Sequence, residues 1–152
     1  MQVAENTIKK QIADKLTEFL AENYITFVKT QIFHWNVKGE MFYSLHKLFE
    51  EEYTDFFMAI DLIAETILQL GFPTPASFNN YLNLSSIKEE KTIPEAKEMI
   101  AILRDDYDKL TGKARIIIKM AEENTFPELA DLMTQRIQVH NKNSWMLNSF
   151  LQ

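Results

Sequence analysis

Two of the chain's three histidines, His34 and His46, and a spaced set of carboxylates, Glu50, Asp61 and Glu65, fall within one stretch, HWNVKGEMFYSLHKLFEEEYTDFFMAIDLIAE. Imidazole nitrogen and carboxylate oxygen together suit iron, manganese or zinc, with iron favoured where carboxylates dominate and a second ion or an oxidant must fit. Spacing decides how such a set could close. No Gly or Pro interrupts Phe42 to Leu70, and Phe42, Leu45, Phe49, Tyr53, Phe56, Phe57, Ile60, Ile63, Ala64 and Ile67 recur at helical intervals, which predicts one long helix closed by Gly71. On it His46, Glu50, Asp61 and Glu65 share an arc of roughly 100°, yet His46 and Glu65 lie roughly 28 Å apart along the axis, beyond the reach of one ion. An antiparallel copy related by a twofold axis near residues 55 and 56 removes the difficulty. His46 and Glu50 of one chain then face Glu65 and Asp61 of the other, which makes two equivalent sites. Trp35 to Met41, with Gly39 inside it, reads as a short helix–helix connection, and folding about residue 40 brings His34 opposite His46.

The elements that must position these residues are helical. The chain has 152 residues, 46% of them hydrophobic and 25% charged, and only 3 Gly and 4 Pro, too few for the turns of an all-β fold. That size suits one domain over residues 1–152 with a substantial core. No cysteine is present, which excludes a disulfide framework and thiolate ligation. No apolar run approaches the roughly 20 residues of a membrane span, and MQVAENTIKK lacks the apolar core of a signal peptide, so a cytoplasmic protein without membrane contact is expected. A net charge of −6 argues against broad attraction to nucleic acid or anionic lipid and fits a protein that handles cations.

In chain order, Asn6 or Thr7 is placed to cap a first helix running to about Val37, with Ile8, Ile12, Leu16, Phe19, Leu20, Ile25, Val28, Ile32 and Phe33 on its apolar face. After Gly71, FPTPASFNNYLNLSSIKEEK reads as a long connection, the kind a crossover between antiparallel helix pairs requires. Thr92-Ile93-Pro94-Glu95 and Thr125-Phe126-Pro127-Glu128 read as capping boxes opening two more helices. The first of these has Met99, Ile100, Leu103, Tyr107, Leu110, Ala114 and Ile117 inward. The second has Leu129, Leu132, Met133, Ile137, Trp145, Met146 and Phe150 as its apolar set. His140, with Arg136 and Ser144 four residues to either side, has no acidic neighbour at helical spacing and is read as structural.

The pattern H-W-x-x-x-G-x-x-F-x-x-L-H-x-x-F-x-x-x-Y, then D-x-x-A-E and L-G-x-P, resembles the Dps family, the miniferritins. It stands here as His34-Trp35, Gly39, Phe42, Leu45-His46, Phe49, Tyr53, Asp61, Ala64-Glu65 and Leu70-Gly71 with Pro73. The resemblance implies an all-α, ferritin-like four-helix bundle whose long crossover carries a short helix, at about Ser77 to Leu82, between the second and third helices. It implies a ferroxidase centre formed by His34, His46 and a nearby acid of one subunit with Asp61 and Glu65 of its twofold mate. Twelve such subunits would enclose an iron store, with hydrogen peroxide or dioxygen as oxidant and zinc or manganese as other occupants of the site. Glu50 stands where the family commonly has Asp, and Thr66 where many members have Arg. By the same analogy Glu128 and Asp131 would line threefold pores, Glu51 would nucleate mineral on the inner surface, and Trp35 would pack beside the metal. The ordinary ferritin arrangement needs Glu-x-x-His pairs, and Gln31, Tyr43 and Ile137 occupy the required positions here, which favours a site between subunits. DNA binding, which the family name implies, is not expected, because no basic residue precedes Lys9-Lys10 and the chain ends Phe150-Leu151-Gln152. The other reading is a cage that sequesters metal without oxidising it, or serves as a scaffold.

Overall fold

Five helices make up the computed structural model, which describes residues 1–152: α1 (Gln2–Asn36), α2 (Phe42–Gln69), α3 (Phe78–Leu84), α4 (Ala96–Glu123) and α5 (Pro127–Ser149). There are no strands, and no helix is long and apolar enough to cross a membrane. α1 packs against α2, α4 packs against α5, and α1 also packs against α4. Tight connections make α1/α2 and α4/α5 antiparallel pairs. Lys29 on α1 meets Asp106 on α4, and Glu18 meets Lys113, so α4 is antiparallel to α1 and parallel to α2. Two parallel neighbours cannot be joined by a tight turn. The segment from Leu70 to Glu95 therefore crosses the length of the bundle, with α3 upon it, in the up-down-down-up order of ferritin-like bundles.

Apolar residues at helical spacing build the core, with Leu16, Phe19, Leu45, Phe49, Phe56, Ile63, Leu103, Tyr107, Leu110 and Met133 among those sealed from solvent. Asn23, Thr26 and Thr30, in the buried middle of α1, each donate to the carbonyl four residues back on their own helix. Gly71, at φ +97°, ends α2 in the left-handed region. The crossover is anchored in three places. Tyr81 stacks on Tyr24 of α1 with ring centroids 5.3 Å apart, Ser86 donates to Glu22 at 2.7 Å, and Ile87 is buried.

Several local expectations need correction. α1 begins at Gln2, and Thr7 lies inside it, its hydroxyl bonded back to Val3 O. Neither capping box forms. Thr92 turns to Glu90 instead, and Thr125, at φ +61°, turns to the carbonyl of Asn124. Pro127 does open α5, because a first-turn residue needs no N–H. The short crossover helix starts one residue later and runs two residues further than expected, with Ser77 capping it through Asn80 N. Phe42, Phe57 and Trp145 belong to apolar stripes yet are solvent-exposed, since the stripes are wider than the faces the bundle covers.

The Lys29–Asp106 pair is sealed, with both side chains about 5% exposed and the ions 2.7 Å apart. Burial pushes the Asp106 carboxyl up from its ordinary range, and Lys29 draws it part of the way back. Lys29→Met strands the carboxylate and is expected to destabilise the fold by about 3–5 kcal/mol, whereas Lys29→Met/Asp106→Leu recovers most of that loss. Thermal unfolding midpoints of the two variants check this.

His140 is fully buried with neither ring nitrogen bonded, and burial, followed by the nearby Arg136 charge, holds its imidazole well below the usual range. The folded state keeps the ring neutral while the unfolded chain takes up a proton near pH 6.5. The stability it contributes is thus whole above that pH and lost as pH falls below it, at up to about 1.4 kcal/mol per unit. Denaturant midpoints between pH 7 and pH 5 are expected to fall less steeply in His140→Leu than in the wild type.

Candidate metal centre

The α1/α2 connection is short because two of its groups suit it: Val37 leaves the helix in an extended conformation, and Gly39 adopts φ +97°. The turn sets the last residues of α1 against the first turns of α2. There His34 Nδ1 donates to the backbone carbonyl of His46 at 2.6 Å, and His46 Nδ1 donates to the carbonyl of His34 at 2.7 Å. A carbonyl only accepts, so each Nδ1 carries the hydrogen and each Nε2 keeps a free lone pair. The rings stack, centroids 3.9 Å apart and planes 13° from parallel. Phe42 stacks on His46 at 5.1 Å, and Tyr53 sets its ring edgewise against His34 at 5.2 Å. His34 is buried and His46 half-buried.

Two imidazoles stacked this way do not chelate one ion. Metal–nitrogen bonds of about 2.0–2.1 Å lie in the ring plane, and an ion shared between these near-parallel planes would sit far out of both. The arrangement suits two neighbouring ions with one imidazole each.

Glu50 lies one turn beyond His46, half-buried, with Lys47 Nζ 3.9 Å from its carboxylate. Asp61 and Glu65 are exposed on the same helix, roughly 22 and 28 Å further along, and within one chain they do not reach the histidines. No three His, Asp or Glu side chains converge on a common point in the single chain. Around Asp61 the surface is apolar. Phe57, Met58 and Leu62 stand more than half exposed, and with Tyr24, Phe27, Ile60 and Ala64 they line a groove that includes Asp61. Exposed apolar surface on this scale, with carboxylates set in it, marks an association surface.

The remaining expected positions are at the surface. Glu51 is exposed beside Glu50. Glu128 and Asp131 are exposed in the first turns of α5, Asp131 accepting from Gln135 at 2.9 Å. Trp35 is 62% exposed and takes no part in the core. Sequence reasoning passed over Glu52, which the structure buries against Tyr107 of α4, with the phenol donating to Glu52 Oε2 at 2.7 Å. Its position on the stripe Leu45, Phe49, Glu52, Phe56 was the available signal, hidden in the run Glu50-Glu51-Glu52.

A ferritin-like domain model matches residues 13–152. The chain is 33% identical to DNA protection during starvation protein 2 of Bacillus anthracis over 95% of this chain and 99% of that one. It is 32% identical to the DNA protection during starvation protein of Brevibacillus brevis, over 97% and 99% of the two chains. Among solved structures, it superposes on the Dps protein of Vibrio cholerae O1, described as a member of a broad superfamily of ferritin-like diiron-carboxylate proteins. That match has a TM-score of 0.92 and 33% identity, and covers 97% of this chain and 92% of the other. The helical order and the crossover bearing α3 agree with these matches: the chain belongs to the Dps miniferritins of the ferritin-like family.

Proposed function

We propose that the protein oxidises Fe(II) at centres shared between twofold-related subunits and stores the ferric product inside a cage of such subunits. The observation that carries the reading is the arrangement along α2. Two imidazoles with free Nε2 lone pairs lie at one end, and carboxylates that no ligand of the same chain can meet lie on an exposed apolar face toward the other. Antiparallel pairing of two α2 helices covers that face and brings His34, His46 and Glu50 of each chain to Asp61 and Glu65 of the other.

In this site each imidazole binds one ferrous ion, and Asp61 and Glu65 bind the pair and neutralise its charge. Glu50 completes the second position after leaving Lys47. Two ferrous ions held together supply two electrons at once, so one hydrogen peroxide and two protons become two waters. No single-electron step then releases a hydroxyl radical. Dioxygen is the other oxidant of the same class. Glu51 would offer a carboxylate for mineral nucleation, and Glu128 and Asp131 would draw cations through threefold pores, in a cage of twelve subunits in the cytoplasm. Zinc or manganese would occupy the same donors without turnover. DNA binding is not part of the proposal. Lys9 is paired with Glu5 at 3.1 Å and Lys10 with Asp14, which reduces the free positive charge near the amino end.

The test is co-assembly. His46→Ala and Asp61→Ala chains are each expected to fold, because the His34 ring is tethered to the backbone of residue 46 and not to its ring. The loss of one stacked imidazole and one hydrogen bond costs about 1 kcal/mol. Each variant alone is expected to oxidise Fe(II) with added peroxide no faster than buffer, followed by ferric absorbance. Unfolded together and reassembled, they make about half of the dimers mixed, each with one complete site and one stripped site, and oxidation returns to about a quarter of the wild-type rate. Failure to complement would count against the shared centre. Metal bound stoichiometrically by the wild type with no oxidant consumed would identify a sequestering or scaffold protein instead.

A further inference from the structure

α2 carries the carboxylates Glu50, Glu51, Glu52, Asp55, Asp61 and Glu65, and its only lysine or arginine is Lys47. Half of these acids are accounted for within the chain. Asp55 accepts both terminal nitrogens of Arg136 at 2.7 and 3.1 Å. Glu52 accepts the Tyr107 phenol at 2.7 Å, and burial raises its carboxyl to about 8, so it carries little charge at neutral pH. Glu51 is exposed to solvent. Glu50, Asp61 and Glu65 remain, the acids that the twofold pairing gathers at each centre. Lys47 Nζ lies 3.9 Å from the Glu50 carboxylate, whereas Asp61 and Glu65 form no ion pair within the chain.

On the surface of one chain a lysine and a glutamate at this distance are worth little, since both stay hydrated. The place of Lys47 on the helix changes that. Lys47 and Glu65 are separated by about five full turns, so their side chains leave α2 in the same direction. A twofold axis near residues 55 and 56 brings residue 65 of one chain level with residue 46 of the other, about 1.5 Å along the axis from residue 47. Lys47 of each chain then faces Glu65 of its mate, next to the place where Glu50 faces Asp61. The same pairing covers the exposed apolar side chains Phe57, Met58 and Leu62 and removes water from around these groups. Carboxylates gathered in that drier setting repel one another unless a cation stands among them.

We propose that Lys47 is the counter-ion of the empty centre: in the metal-free assembly its ammonium sits among Glu50 of its own chain and Asp61 and Glu65 of the other, and an arriving ferrous ion displaces it toward solvent. The inference rests on the reading of a centre shared between twofold-related subunits and adds what balances that centre before metal arrives. Lysine suits the task. Its compact charge rides on a flexible stem, and its 3.9 Å separation from Glu50 leaves it free to swing away. An arginine would fork onto a carboxylate and hold it. One residue thereby acts on two equilibria in opposite directions: it favours assembly of the empty subunits, and it weakens metal binding by competing for the same oxygens.

Lys47→Met keeps the apolar stem and removes the charge, and because the side chain is 55% exposed the fold is not at stake. Neither readout needs turnover. Dissociation of the metal-free protein is followed by sedimentation at a urea concentration where the wild type is partly dissociated. Zn2+ affinity is measured on the assembled protein without urea, by competition with a chelator. Lys47→Met is expected to raise the dissociation constant of the metal-free assembly about tenfold and to bind Zn2+ about tenfold more tightly. Lys47→Arg is expected to keep the metal-free assembly and to bind Zn2+ more weakly than the wild type. Movement of the two constants in opposite directions is the signature. A loss of both assembly and zinc affinity in Lys47→Met would mark a lysine that merely packs at the interface, and would overturn the proposal. Asp61→Ala separates this inference from the reading beneath it. Zinc affinity lost in Asp61→Ala but unchanged in Lys47→Met would remove the role of Lys47 and leave the shared centre standing. Zinc affinity unchanged in both would remove the shared centre and this role with it.

Discussion

Two backbone carbonyls, those of His34 and His46, hold the imidazoles of the same two residues in place. The His34 carbonyl, in the last turn of α1, has no partner within its helix and is met by the His46 imidazole, while the His46 carbonyl, in the second turn of α2, accepts the His34 imidazole as a further bond. One pair of hydrogen bonds thereby closes the hairpin, settles which nitrogen of each ring carries its proton, and turns two lone pairs outward. The usual arrangement, in which a carbonyl or carboxylate orients a metal-binding histidine, is here made reciprocal, so the two rings position one another through the main chain. The long helices follow from the same junction. Once α1 and α2 are pinned at this end, their apolar stripes face each other along their whole length, and Phe33 and Phe49 come within 6.3 Å at the first layer of the core.

Much of this was legible from residue order alone. An uninterrupted apolar rhythm from Phe42 to Gln69, a glycine on either side, and two histidines twelve residues apart across a five-residue connection describe a helical hairpin with its imidazoles apposed. What could not be read was anything decided by a competing partner. Thr92 and Thr125 have the residues of a capping box, yet Glu90 and the Asn124 carbonyl were nearer acceptors. Phe57 and Ile63 look equally apolar in sequence, and only packing makes one a surface residue and the other core. Glu52 was obscured by its neighbours, because three consecutive glutamates read as a solvated run although the helix turns one of them inward. Asp61 and Glu65 were picked out by their chemistry. Their place in the single chain is open surface, since the ligands proposed to complete them come from another molecule.

The exposed face of α2 and the buried ions between helices reflect one economy. A bundle of this kind has more apolar residues than four helices can cover, and part of the surplus gathers on one face of α2, where Phe57, Met58 and Leu62 flank Asp61. Apart from Glu52, the charged groups inside the bundle have matched partners, which costs desolvation but restricts where each helix can sit.

That restriction is clearest between α1 and α4. Apolar stripes repeat every turn, so sliding one helix along the other by about 5.4 Å would still set leucine and isoleucine against their like and lose little burial. Lys29 and Asp106, with Glu18 and Lys113 roughly three turns away, do not repeat. A slipped helix would carry both pairs apart together, leaving Lys29 and Asp106 uncompensated in a dry interior and Glu18 and Lys113 unmatched at its edge. The two ion pairs thus act as a vernier, selecting one alignment from several that hydrophobic contact alone would leave nearly equal in energy.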